Sequence, residues 1–119
     1  MSIESYRDLI VWQKSIQLVK AVYELTEKFP KSEQSNLISQ MRRCSVSIPS
    51  NIAEGKCRST RKDFRNFLFN AYGSGAELET QVEIAKQLPF GLNLKYEQVD
   101  QMLSEVMKML NVFIKKLET

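Results

Sequence analysis

The chain has 119 residues, no histidine, two cysteines and a formal charge of +3. That length fits one hydrophobic core, and 43% hydrophobic with 26% charged residues is the balance of a folded chain. Four Gly and three Pro argue against a turn-rich all-β fold, and the missing histidine removes the commonest general base and metal ligand, which disfavours catalysis.

Three turn-forming stretches, Phe29–Ser32, Gly55–Thr60 and Pro89–Asn93, divide the sequence into four amphipathic segments. The first spans about 7–29. Leu9, Trp12, Ile16, Val19 and Tyr23 form one stripe at helical spacing, and Leu18, Val22, Leu25 and Phe29 form a second beside it. Pro30 ends the segment, because the residue before proline is pushed out of the α region. The second spans about 33–54, with Leu37, Met41, Cys44, Ile48 and Ile52 on one face. Pro49 lies inside it and predicts a kink near Ser45–Pro49 without a full break, since the apolar register continues to Ile52. Gly55 is expected at the left-handed position after the helix.

The third segment spans about 61–88, with Ser59 or Thr60 as N-cap and Asp63 in the first turn. Phe64, Leu68, Ala71, Gly75, Leu78, Val82 and Ala85 make an unbroken heptad seam. Gly73 and Gly75 cost helix stability, which suggests that both serve close packing. The fourth spans about 95–117, with Tyr96, Val99, Leu103, Val106, Leu110, Phe113 and Leu117 in its seam and Lys115 and Lys116 near the negative pole of the helix. Four such segments on short links predict one domain over 1–119, an all-α, antiparallel up-down-up-down four-helix bundle with left-handed packing.

No run reaches the ~18 consecutive apolar residues of a membrane span, and Met1–Asp8 lacks the pattern of a secretory leader. A cytoplasmic protein with no membrane partner is expected. Cys44 and Cys57 are too few for a zinc site or a disulfide framework and read as reduced thiols. Ser45, Ser47, Ser50 and Cys57 have no histidine to activate them. Glu79 and Glu83 share a helix face and read as solvated charge, and Gly73-Ser74-Gly75 lies mid-helix without the strand a phosphate loop needs. No catalytic residue, metal or cofactor is expected.

Charge is distributed unevenly. Between positions 42 and 65, Arg42, Arg43, Lys56, Arg58, Arg61, Lys62 and Arg65 face only Glu54 and Asp63, a net of +5 that leaves −2 for the rest of the chain. Arginine suits phosphate contact, so these seven residues are the candidate nucleic-acid-binding set. An arginine at the core edge paired with Glu54 or Glu79 is the structural alternative. Apolar residues off the seams, such as Phe69, Tyr72 and Met109, point to a homo-oligomer.

The run Gln40-Met41-Arg42-Arg43-Cys44-Ser45-Val46-Ser47-Ile48-Pro49-Ser50-Asn51-Ile52-Ala53-Glu54-Gly55 resembles the hallmark of the 23S rRNA intervening sequence family of small bacterial four-helix-bundle proteins. Gly73–Gln81 resembles its second hallmark and Tyr6–Lys14 its usual opening, while Cys44 and Gly75 depart from the usual residues. The resemblance implies a protein encoded within an insertion in a ribosomal RNA gene. It also implies kinship with the accessory variability proteins of diversity-generating retroelements, homopentamers that bind a reverse transcriptase and nucleic acid through a basic surface. Only Arg42 and Arg43 are carried over by the motif; the other five basic residues rest on charge alone. Together these readings predict a non-enzymatic oligomer, pentameric by resemblance, that contacts RNA or DNA backbone. The alternative is a protein–protein scaffold or accessory subunit of a nucleic-acid enzyme such as a reverse transcriptase.

Overall fold

The structure is a computed structural model that describes residues 5–118. Met1–Glu4, part of the stretch read for a leader, and Thr119 lie outside the described residues. Four long helices dominate: α1 (Ile10–Glu27), α2 (Ser39–Lys56), α3 (Arg61–Gln87) and α4 (Glu97–Lys116). The described residues include no strand. α1 packs on α2 and α4, and α3 packs on α2 and α4, so the four enclose one core within an elongated body of 47 × 22 × 22 Å. The fold is an all-α helical bundle. No helix of the described residues is long and apolar enough to cross a membrane.

The helix boundaries shift from the expected ones where the backbone finds local alternatives. Before α1, the Ser5 hydroxyl accepts from the Arg7 N–H and a single 3₁₀ turn covers Tyr6–Asp8; Leu9 is extended, so α1 starts at Ile10. Before α2, a 3₁₀ turn (Lys31–Glu33) and a π turn (Gln34–Ile38) replace the expected first helical turns, with Asn36 at φ −113°, ψ −111°. Residues 31–36 are all polar. They bury nothing, so no packing holds a continuous helix there. α2 itself runs unbroken through Pro49.

The seams of α2, α3 and α4 fall on the core as expected. Met41, Ile48, Ile52, Leu68, Ala71, Leu78, Val106 and Leu110 are fully buried. α1 differs. Its second stripe (Leu18, Val22, Leu25, Phe29) is buried, but of the first stripe only Leu9 is; Ile16 and Tyr23 are exposed. The inward face is completed by Ser15 and Thr26, whose hydroxyls donate to the Trp12 and Val22 carbonyls. Internal hydrogen bonds let these two polar residues fill small core sites.

Gly55 corrects a second expectation. No described glycine has a positive φ, and Gly55 is the penultimate residue of α2, not a left-handed cap. Its role is proximity. A Cβ there would lie 2.6 Å from Phe67 Cβ and 3.0 Å from the Phe64 ring of α3. Gly75 acts likewise, against the Met107 side chain of α4, whereas Gly73 faces open space and has no packing role.

Candidate nucleic-acid interface

The short link between α2 and α3 is fixed from both sides. The Thr60 hydroxyl accepts from the Asp63 N–H at 3.1 Å and starts α3. The Cys57 N–H closes α2 on the Ala53 and Glu54 carbonyls. Arg58 sits between, with Nη2 2.8 Å from Glu54 Oε2 and its guanidinium 4.7 Å from the centre of the Phe67 ring.

The first turns of α3 lie beside the last turn of α4. Arg61 Nη2 donates to the Lys116 carbonyl at 2.9 Å, and Arg65 Nε donates to the Ile114 carbonyl at 3.1 Å. Arg65 Nη2 also lies 3.2 Å from Glu118 Oε1. Both carbonyls lie at the negative pole of α4, and that of Ile114 also accepts from the Leu117 N–H, so the two arginines cap a neighbouring helix through its backbone. Lys115 and Lys116 are exposed in that same turn. One end of the bundle therefore gathers Lys56, Arg58, Arg61, Lys62 and Arg65 with Lys115 and Lys116. The two lysines were missed as site residues in the sequence because they lie 50 positions from the patch. The usable signal was the short α3–α4 link, which returns the chain to the start of α3.

Arg42 and Arg43 lie elsewhere. They are about 20 Å along α2 from Lys56 at 1.5 Å per residue. Arg42 is half-buried and turned onto α1: Nε donates to Thr26 Oγ1 at 2.9 Å, Nη2 donates to the Tyr23 carbonyl and pairs with Glu27 Oε2 at 3.3 Å, and the guanidinium covers the Tyr23 ring at 4.4 Å. Its carboxylate partner is thus Glu27, not Glu54 or Glu79. Arg43 and Lys62 are exposed and Lys56 half-buried; none makes an ion pair or side-chain hydrogen bond among the described residues.

The residues of the two motifs meet across the α2–α3 seam. Ser47 Oγ and Ser74 Oγ are 2.9 Å apart, and Gln81 Nε2 donates to Cys44 Sγ at 3.4 Å. Asn51 Nδ2 turns back onto the Ser47 carbonyl at 2.8 Å, and Ser45 donates to the Arg42 carbonyl. Burial pushes the Cys44 thiol above its ordinary pKa and Glu77 adds to the shift, against the hydrogen bond from Gln81. This seam is a packed surface with neutral side chains.

The model of the family described as 23S rRNA-intervening sequence protein matches residues 7–112. The chain belongs to this family. The match covers all of α1, α2 and α3 and most of α4, so the 23S rRNA-intervening sequence family model includes both the seam and most of the basic end. Its last residue falls before Lys115 and Lys116. No curated protein matches the chain.

Proposed function

We propose that this member of the family is a non-enzymatic, cytoplasmic, homo-oligomeric binding protein that contacts RNA or DNA backbone through the basic end of its bundle. The observation that carries this reading is the convergence of seven cations from α2, the α2–α3 link, α3 and α4, with Lys62 exposed and lacking an ion pair among the described residues. Arg61 and Arg65, anchored on α4, hold their end of the patch in a fixed shape, which lowers the ordering cost of binding. We read the topology as antiparallel up-down-up-down with left-handed packing. Two contacts support the antiparallel order: Lys86 near the end of α3 pairs with Asp100 near the start of α4, and Cys44 and Ser47 of α2 meet Gln81 and Ser74 of α3 in reverse order. Exposed Ile10, Ile16, Val46 and Val112 are surfaces for self-association, with a pentamer suggested by the family resemblance. A ring would repeat the patch and raise avidity without new contacts.

The test is mass in solution with and without RNA. The expected result is an oligomer that gains mass on adding RNA; a strict monomer indifferent to RNA overturns the reading. One groove favours the second reading, an accessory subunit or scaffold. Between α1 and α4, Ile10, Val11, Met109, Val112 and Phe113 are flanked by Lys108 and Lys116, a pattern that suits an acidic, apolar protein segment. Co-purification with a protein after nuclease treatment would favour it.

A further inference from the structure

Phe69 is 48% exposed, four residues after Arg65 on α3. The Arg65 guanidinium lies over its ring, 5.0 Å from the centre. That guanidinium is itself held by the Ile114 carbonyl and Glu118, so the ring has a fixed neighbour on one side while about half of its surface stays open to solvent. Lys62, Asn66, Phe69 and Gly73 step by 4, 3 and 4 and share one face of α3. All four are exposed, and a Cβ at Gly73 would meet nothing within 4 Å. The face is open for about 16 Å of helix at 1.5 Å per residue.

A duplex hides the faces of its bases and offers only phosphates and base edges to such a helix. A single strand offers both phosphates and free base faces, and an aromatic ring beside cations is the side-chain pattern that binds it. We propose that the polynucleotide bound at the basic end is single-stranded and that a base stacks on the Phe69 ring while Lys62 and its neighbours contact the flanking phosphates. The inference rests on the nucleic-acid reading above. It separates single strands from duplex, which charge alone does not.

Tyr23 is the matched control, an exposed aromatic beneath Arg42 but in the company of Glu27 and away from the basic end. The experiment measures affinity of the full chain for labelled single-stranded RNA, single-stranded DNA and the corresponding duplex at one salt concentration. Phe69→Ala should weaken single-strand binding about 5- to 150-fold, the range for loss of one stacked base. It should leave duplex binding and the salt dependence unchanged. Phe69→Trp should restore single-strand affinity, and Tyr23→Ala should change nothing. The RNA and DNA arms show which sugar is preferred. Equal single-strand affinity for Phe69→Ala and wild type overturns this inference and leaves the nucleic-acid reading standing. Absence of binding to any of the three overturns both. A change of solution mass in Phe69→Ala places the ring in a self-association surface and overturns the inference.

Discussion

The α2–α3 seam and the basic end of the bundle are adjacent along the chain and opposite in design. The seam is built from neutral side chains that meet one another: Ser47 with Ser74, Gln81 through Nε2 with Cys44 while its buried Oε1 has no partner among the described residues, and Gly55 under Phe64 and Phe67. The end is built from long cations, of which Arg58, Arg61 and Arg65 are tied to carbonyls or carboxylates while Lys56 and Lys62 make no such bond among the described residues. The most recognisable stretch of sequence therefore holds two helices together. The residues suited to a polyanion lie beside that stretch, in a link and a helix end with no motif of their own. In this chain the long motif marks a close helix–helix contact, a different place from the proposed binding end.

This contrast can be broken from either side, and the largest effects belong to the seam. Ile48 is fully buried, so Ile48→Ala should cost about 2–5 kcal/mol of stability by chemical denaturation. Its folded fraction should still bind nucleic acid; loss of both together would merge the two regions. Gly55→Ala forces a methyl against Phe67 Cβ, which belongs to a helix and cannot swing aside. It should cost about 1–3 kcal/mol, whereas Gly73→Ala at an open helical site should stabilise by up to about 1 kcal/mol. A neutral Gly55→Ala would refute the close approach.

Smaller effects follow from ionisation. Burial raises Cys44 and Tyr96, and the hydrogen bond with Asp100 raises Lys86. A folded-state pKa above the unfolded value gives stability that is present below the unfolded pKa and lost as pH rises through the folded one. All three shifts are upward, so the melting temperature should fall above about pH 9, the ordinary value of the thiol. A melting temperature that stays flat into alkali would contradict the burial of Cys44. At neutral pH, Cys57, which is exposed, should alkylate well before Cys44. The smallest effect is that of Asp100→Asn. Its pair with Lys86 is partly exposed, and such pairs contribute about 0.2–1 kcal/mol.

The fold was legible because helical periodicity is set by core packing. The heptad seam of α3, from Leu68 to Ala85, is buried along its length. What periodicity could not register was chemistry that disguises burial. Ser15 and Thr26 read as polar yet complete the inner face of α1 through bonds to their own helix. Gly55 read as a turn residue although its neighbours on α3, 9 and 12 positions later, are what require it. The candidate site was half legible. Charge counting placed the link residues, but it joined Arg42 to them although that side chain is committed to Thr26 and Glu27 of α1. It left out Lys115 and Lys116, because membership of one surface depends on which helix ends the fold brings together.

Whether polyanions bind at the end of the bundle, and not along the motif-bearing seam, is decided by oligonucleotide affinity measured as a function of salt for the wild type, for a variant with Arg58, Lys62, Lys115 and Lys116 changed to Gln, and for Arg43→Gln. None of the four end side chains makes the interhelix bonds supplied by Arg61 and Arg65. Four neutralised phosphates correspond to a roughly 100-fold loss of affinity for a fourfold rise in salt. Binding at the end should give a fall of that order for the wild type and for Arg43→Gln, and a much shallower one for the four-site variant, by about one unit of slope per contact removed. A four-site variant with the wild-type salt dependence, or an Arg43→Gln that loses as much as it does, would contradict binding at the end.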